Sequence, residues 1–524
     1  GGHKMISEVK TDKHIERRII IGMIVSTDYL SRIRKLWNPQ FFTSEAARIL
    51  STWCIEYFDK YGKAPQSEID DIFYDKVNNN KIPEDVAELF NDILLPSLAK
   101  EYEHLEKFNS GYLYDQTISY FKAQELRLHT KEIQELIEQG RADEAEELAQ
   151  NYRPTVLDEL NVGLELSSDE ALERVDIAFN KELEHLITYP DDLGDMLNDH
   201  LVRGGFVGFM GPEKRGKTSW LLELAMRAIM QKCNVAFFQA GDMTETQQLK
   251  RICIYLAERS DNPKYCRAGY KPVVDCVYNQ LNMCDNEDRT CDFGVLRNFT
   301  PDDLYAHIDY DTLIKAVEDN PDYIPCKACS KFKGSIWYVK EKEKMPLTAE
   351  DAKRYLKRFF DKYKQRFKLA TYAADTLSID EIRNCLKLWE QYDNFVPDVI
   401  LVDYADLLTA PVKEFRHKQD YIWKNLRGLS QEKHALVITA TQSDADSYDT
   451  DLLKLSNFSE DKRKYSHVTA MFGLNQDKDG REKKLGVLRL NELVVREGEF
   501  SSSNEIVVLQ YLRGGRAYVG SYRK

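Results

Sequence analysis

Eight consecutive residues constrain the fold of this chain more than any other feature. Residues 211–218 read GPEKRGKT and fit the pattern G-x-x-x-x-G-K-[ST], between the apolar run Phe206–Met210 and the helical pattern Thr218–Met230. In such a context the glycines let backbone N–H groups wrap around phosphates, the lysine reaches the β and γ oxygens, and the hydroxyl ligates Mg²⁺. The motif therefore predicts a phosphate-binding loop (P-loop) for a nucleoside triphosphate with Mg²⁺. The residues predicted to line this site are Gly211, Pro212, Glu213, Lys214, Arg215, Gly216, Lys217, Thr218 and Ser219.

Strand and helix patterns alternate from about Tyr189 onwards. Alternation of this kind is typical of a doubly wound α/β domain with a mostly parallel sheet. Helical stretches such as Ile379–Gln391 separate the apolar runs. The predicted strands are Phe206–Met210, Val235–Gln239, Val399–Asp403, Leu436–Thr441 and Glu505–Leu512.

The sequence before this region has a different pattern. Apolar residues recur there at three- to four-residue spacing, with a break at residues 140–142 that predicts a helical hairpin, and no strand signal is found. A capping box, Ser167-x-x-Glu170, opens a further amphipathic helix. The predicted domains are a helical N-terminal domain with a helical hairpin (5–160), a linker with an amphipathic helix (161–188) and the α/β domain (189–524).

Composition limits the partners of the chain. Its 524 residues are 43% hydrophobic, which excludes a wholly disordered protein. With 73 Lys and Arg against 87 Asp and Glu, the net charge is −14, so binding of nucleic acid requires a local basic strip. No apolar run has the length of a membrane span, and no secretory signal is found. We expect a cytoplasmic protein without a membrane partner and with reduced cysteines.

Three polar residues at strand ends complete the predicted nucleotide site. Asp403 closes an apolar strand and is expected to hold Mg²⁺ through water. Asp242 follows the strand after the P-loop helix, where a carboxylate can orient or deprotonate the attacking water; alternatively, it only caps the helix that begins at Thr244. Gln442 ends another strand and is predicted to sense the γ-phosphate.

Several of these segments resemble bacterial replicative helicases of the DnaB type. Residues 237–244 (FFQAGDMT), followed by Gln248 and Arg251, resemble the segment after the first helix of that family. Residues 398–408 (DVILVDYADLL) and 439–442 (TATQ) resemble its second and third nucleotide motifs. The order of helical domain, linker and ATPase domain is also similar, so the resemblance covers most of the chain.

This resemblance implies an α/β RecA-like P-loop ATPase domain preceded by an all-helical N-terminal domain. It implies an ATP-dependent replicative DNA helicase that forms a homo-hexameric ring and translocates on single-stranded DNA, with a primase or a helicase loader as a further partner. ATP would lie between subunits, and Arg513 matches the arginine finger from the neighbour, with Arg516 as the nearest alternative. The chain departs from the family at Tyr511, usually Lys, and at Asp242, usually Glu.

A basic run is the candidate DNA contact. Lys462, Arg463 and Lys464 are consecutive on a predicted loop between two strands, where basic side chains can follow a phosphate backbone without reading bases. A solvated charged surface is the alternative interpretation. A ring would bring six copies into one channel, which reconciles DNA binding with the negative net charge.

An insertion separates the P-loop from Asp403. Residues 260–344 exceed what the family core needs and hold six of the ten cysteines. Their clustering and the few aliphatic residues favour structural Zn²⁺, whereas unrelated free cysteines are the alternative. Such an insertion also favours a phage-encoded member. The predicted ligands are Cys284, Cys291, Cys326 and Cys329, with Cys276 able to replace Cys284.

Two other functions fit the same motifs. One is a RecA-fold DNA-dependent ATPase that acts in recombination or packaging without unwinding DNA. The other is a P-loop kinase of a small molecule, although kinases are usually single compact domains. Strand displacement distinguishes the helicase from the first alternative, and stimulation of ATP hydrolysis by single-stranded DNA distinguishes both DNA-dependent enzymes from the kinase.

Overall fold

The computed structural model of the protein consists of two compact units, Gly1–Glu182 and Leu183–Lys524. No helix in its described part is long and apolar enough to cross a membrane. The described residues are 2–78, 109–150, 152, 175, 179, 183–241, 243–306, 308–326, 329, 331–412, 414–444, 447, 450–457, 462–496, 501 and 504–524.

The first unit contains helices joined by short connections in its described residues, as predicted. Its third helix begins where the Ser44 hydroxyl accepts a hydrogen bond from Ala47 N, and it ends at Gly62, whose φ of +68° suits glycine. The predicted linker lies largely outside the described residues. The helices are α1 (Gly2–Val25), α2 (Thr27–Arg34), α3 (Glu45–Tyr61), α4 (Glu68–Asn78), α5 (Ser110–Glu138) and α6 (Ala142–Gln150).

The second unit contains a nine-stranded sheet with helices on both faces. A separate two-stranded antiparallel sheet consists of β3 and β4. The strands of both sheets are β1 (Phe206–Gly211), β2 (Val235–Ala240), β3 (Gly269–Cys276), β4 (Gly334–Glu341), β5 (Phe367–Tyr372), β6 (Val399–Asp403), β7 (Leu436–Gln442), β8 (Ala470–Asn475), β9 (Val487–Val495), β10 (Glu505–Tyr511) and β11 (Arg516–Arg523). The helices are α7 (Asp191–Leu197), α8 (Lys217–Met230), α9 (Glu245–Ala257), α10 (Pro263–Cys266), α11 (Val277–Gln280), α12 (Pro301–Ala306), α13 (Tyr310–Asp319), α14 (Ala349–Tyr363), α15 (Ile379–Asp393), α16 (Phe415–Glu432) and α17 (Arg481–Leu485).

The order of strands in the sheet is β11-β10-β9-β8-β1-β7-β6-β2-β5. In this order, the neighbouring strands β5, β2, β6, β7, β1 and β8 pair in parallel. The neighbouring strands β8, β9, β10 and β11 pair antiparallel. β1, β2 and β6 are buried along their whole length because helices cover both faces, which is why they read as continuous apolar runs. The predicted fold class, a mostly parallel α/β sheet after an all-helical domain, is confirmed.

Close packing under the P-loop strand explains one of its glycines. A Cβ atom on Gly208 would lie 2.7 Å from Met471 and 3.2 Å from Trp423. Trp423 is fully buried on α16, and Met471 lies on the neighbouring strand β8. A larger residue at Gly208 would therefore push β1 away from α16 and displace the P-loop that follows it.

The insertion folds on the antiparallel end of the main sheet. Its antiparallel strands β3 and β4 pack against β10 and β11, and its apolar core includes Trp337 and Tyr338 together with Val507, Leu509 and Tyr522 of the main sheet. The insertion is poor in aliphatic residues, as its sequence shows, but it nevertheless has an apolar core. Aromatic residues and a surface shared with β10 and β11 supply the core instead.

Candidate nucleotide-binding site

The P-loop joins the carboxyl end of β1 to the amino end of α8. β1 ends at Gly211 and α8 begins at Lys217, so residues 212–216 form the turn. Gly216 is the N-cap of the helix, with a φ of +84° at which a side chain would be strained. The first N–H groups of a helix have no intrahelical acceptor and carry the positive end of its dipole. The turn is therefore shaped to receive phosphate oxygens at the start of a 14-residue helix.

The remaining residues of the turn differ in exposure. Glu213 and Lys214 are exposed at its tip, and Lys214 has a φ of +63°. The Arg215 guanidinium donates to Oε1 of Gln476, just beyond β8, at 3.3 Å. Ser219 is half-buried in the first turn of α8. Only some of the residues predicted to line the nucleotide site are therefore shielded from solvent.

Lys217 is held within the loop by backbone carbonyl groups. Its Nζ donates to the oxygens of Gly211 and Pro212, both at 2.9 Å, and the residue is only 8% exposed. A buried ammonium group requires acceptors of this kind. Phosphate oxygens form stronger, charge-assisted bonds with the same group. The lysine is therefore positioned where the motif requires it.

A hydroxyl and a carboxylate meet beside the P-loop. The Thr218 Oγ1 donates to Oδ1 of Asp403 at 3.3 Å, although the two residues are 185 positions apart in the sequence. Asp403 is the last residue of β6 and is 1% exposed. Oxygen donors of these two kinds, completed by water and phosphate, suit Mg²⁺. The donor set fits a Mg²⁺ bound directly by Thr218 and through water by Asp403.

The strand register brings the predicted residues to one edge of the sheet. Gly211 pairs with Gln442, and Gln239 pairs with Asp403, so the carboxyl ends of β1, β7, β2 and β6 coincide. This edge is where parallel α/β sheets bind ligands. The Gln239 side chain donates to the backbone oxygen of Asp403 at 3.2 Å and orients the carboxylate-bearing residue. The sequence reasoning gave Gln239 no role.

Asp406 is a second residue that the sequence reasoning missed. Its Oδ2 accepts hydrogen bonds from Thr441 Oγ1 at 2.8 Å and from Gln442 N at 3.0 Å. Its Oδ1 binds Lys464 Nζ at 2.7 Å, and the same ammonium group donates to Thr441 Oγ1 at 3.1 Å. The only local signal for this network is an acidic residue three positions after Asp403.

The structure places the basic run differently from the prediction. The Lys464 side chain is 1% exposed and paired with Asp406. An ammonium group buried against a carboxylate does not reach a phosphate, so Lys464 is not a surface DNA contact in this structure. Lys462 and Arg463 begin the 3₁₀ turn Lys462–Ser466, and their side chains lie outside the described part.

Asp242 lies outside the described residues, but its neighbours limit its role. Gly241 has a φ of +99°, and a Cβ there would lie 2.5 Å from the Cα of Ala374. The helix α9 that follows is capped by Thr244, whose hydroxyl accepts from Gln247 N in a complete capping box. The alternative in which Asp242 is the cap of this helix is therefore not what the structure shows.

The two C-terminal arginines contact different groups. Arg513 follows β10, and its guanidinium donates to the backbone oxygens of Arg267 at 2.7 Å and Tyr265 at 3.2 Å, both in the insertion. Arg516 instead pairs with the carboxylate of Glu258 at 2.9 Å. Of the two, Arg513 is the one held by neutral acceptors, which leaves more of its charge available to a phosphate.

Tyr511, at the position where the DnaB-type family usually has lysine, contacts the insertion. The Tyr511 hydroxyl donates to the carboxylate of Glu341 on β4. Burial raises the pKa of Tyr511, and this hydrogen bond raises it further. Tyr511 therefore remains neutral at physiological pH and joins β10 to the insertion.

The cysteines of the insertion do not form the predicted set. Cys276, Cys284, Cys326 and Cys329 line one cavity of about 830 Å³, whereas Cys291 belongs to the apolar core. The pKa of Cys326 is raised, first by burial and then by the neighbouring Cys276. Among the described residues, no three His, Cys, Asp or Glu side chains are arranged to hold a metal ion. The zinc prediction is therefore not supported by the geometry.

Comparison with known proteins shows that this chain is similar to solved structures. No protein-family model matches the sequence, and no curated protein is significantly similar to it. One solved structure, an ATPase domain, has 13% identity and a TM-score of 0.42, and the match covers 68% of this chain and 100% of that one. A DnaB-like replicative helicase, described with its interactions with primase, has 12% identity and a TM-score of 0.43, covering 97% of this chain and 100% of that one. Sequence identities and TM-scores this low do not support an inference of function, so the function has to be argued from the residues of this chain.

Proposed function

We propose that this protein is an ATP-hydrolysing motor that acts as a ring-shaped DNA helicase. The observation that carries the ATPase part is the contact between Thr218 and Asp403 beside a P-loop whose lysine is already held in place. Three features of an NTP·Mg²⁺ site thus coincide at one sheet edge: an anion-binding helix start, a lysine and an oxygen donor pair.

Each residue of the site has a distinct task in the proposal. The N–H groups near Gly216 and the ammonium group of Lys217 bind phosphate oxygens and fix their orientation. Thr218 and Asp403 hold Mg²⁺, which when bound neutralises charge that develops on the phosphates. Asp242 takes a proton from the attacking water or orients it.

The ring and its partners belong to the same proposal and rest on the motif resemblance. We place ATP between subunits of a homo-hexamer, with Arg513 reaching the site of the neighbour. Hydrolysis would drive single-stranded DNA through the channel, with Lys462 and Arg463 as candidate phosphate contacts. A primase or a helicase loader is the further partner that the resemblance implies.

ATP hydrolysis with and without single-stranded DNA tests this proposal. We expect hydrolysis that requires Mg²⁺ and rises on addition of single-stranded DNA. Lys217→Ala removes the activity, whereas Lys357→Ala, on the exposed face of α14, serves as a matched control and retains it. Hydrolysis insensitive to DNA but dependent on a small-molecule acceptor would contradict the proposal and favour the kinase.

A further inference from the structure

We propose that the buried ion pair between Asp406 and Lys464 transmits the state of the nucleotide site to the segment that carries the basic turn. The inference rests on the proposed DNA-stimulated ATPase and assigns the coupling between its two sites to this pair. Asp406 and Lys464 are positioning residues, since they act through β7 and its following loop.

Three chain segments converge on the Asp406 carboxylate. Asp406 itself lies three residues after Asp403, so it moves with the strand end that holds the Mg²⁺ ligand. Its Oδ2 binds both Thr441 Oγ1 and Gln442 N, which fixes the end of β7 at the proposed γ-phosphate sensor. Its Oδ1 binds Lys464 from the segment before β8. A displacement of any one segment therefore changes the hydrogen bonds of the other two.

Because the ion pair is buried, its contacts favour one defined arrangement of the three segments. The Lys464 side chain is 1% exposed and that of Asp406 is 13% exposed. A surface ion pair would exchange freely with water, but a buried one cannot separate without leaving a charge uncompensated. The pair therefore holds the segments in one arrangement until movement of β7 or β6 provides other partners.

Described residues of the segment between β7 and β8 make two further contacts. Asp444, two residues after Gln442, donates its N–H to the backbone oxygen of Asn457 at 3.0 Å. At the far end, the His467 ring contacts the carboxylate of Asp420 on α16 at 2.9 Å. Lys464 precedes His467 and lies in the same 3₁₀ turn as Lys462 and Arg463. The position of the basic turn thus depends on the same carboxylate that fixes Gln442.

A set of three variants tests this inference. Asp406→Asn and Lys464→Met each leave one uncompensated buried charge or polar group, whereas the double variant removes both charges. We measure nucleotide affinity, the midpoint of thermal unfolding, and the ratio of DNA-stimulated to basal ATP hydrolysis. We expect the double variant to recover the thermal midpoint relative to the singles but to lose about 2- to 30-fold in the ratio, the range for residues that couple two sites.

A matched control is the ion pair between Glu390 of α15 and Lys433, the residue that follows α16; their side chains are 12% and 15% exposed. The double variant Glu390→Gln with Lys433→Met should retain the ratio of the wild type. A wild-type ratio in the Asp406 and Lys464 double variant would overturn the inference, because the pair would then be only structural. Absence of stimulation in the wild-type protein itself would instead overturn the proposed function.

Discussion

Replacement of Lys217 by alanine is the perturbation whose effect follows most directly from the structure. The ammonium group makes two hydrogen bonds of 2.9 Å to loop carbonyls, and in the nucleotide complex it exchanges them for phosphate oxygens. A hydrogen bond that involves a charged group contributes about 1.5–3 kcal/mol. Since 1.36 kcal/mol is about a tenfold change, we expect affinity for ATP·Mg²⁺ to fall about 10- to 150-fold.

Titration of a fluorescent ATP analogue measures this change, and thermal unfolding of the same samples reports on the fold. Loss of the lysine leaves the carbonyls of Gly211 and Pro212 without this donor, but water can reach the space vacated by the side chain. We therefore expect only a small shift of the unfolding midpoint. Lys357→Ala is the control with unchanged affinity. An unchanged affinity in Lys217→Ala would refute the assignment of this loop as the phosphate site.

Two further predictions concern hydrolysis rather than binding. Asp242→Asn should keep nucleotide affinity and lose hydrolysis, because the side chain acts on water; normal hydrolysis in this variant, measured by phosphate release, would show the assignment to be wrong. Arg513→Ala should slow hydrolysis by about 10³-fold or more, the range for arginine fingers, with binding largely intact. Mixing it with Lys217→Ala should restore activity if subunits share sites, and equal inactivity under conditions of demonstrated subunit exchange would count against the ring.

The parts of the fold that can be predicted from sequence are those whose signal is local. The prediction of β6 has both ends correct, and that of β1 is within one residue, because strands buried on both faces read as continuous apolar runs. β5 has no such signal because it lies at the edge of the sheet with every residue half-buried, so its composition is mixed. β3 is likewise hard to predict, because it contains Pro272, which is rare inside strands, and most of its residues are only half-buried.

The parts of the site that the sequence does not reveal depend on partners distant in the chain. Lys464 reads as one of three equivalent basic residues, but Asp406, 58 positions earlier, removes it from the surface. The core of the insertion likewise cannot be recognised from the insertion alone, because Leu509 and Tyr522 of the main sheet contribute to it. Asp403, in contrast, is predictable because the end of an apolar strand marks it locally.

Strand displacement on a forked DNA duplex is the most direct test of the proposal that this protein is a helicase. The substrate carries a single-stranded tail and a fluorophore–quencher pair, and the assay compares ATP with ADP and wild-type protein with Lys217→Ala. We predict displacement that requires ATP, Mg²⁺ and Lys217, and that is catalysed by the ring fraction of a sized sample. ATP hydrolysis stimulated by single-stranded DNA, without any displacement on forks of either tail polarity, would contradict the helicase and leave a DNA-dependent ATPase that does not unwind.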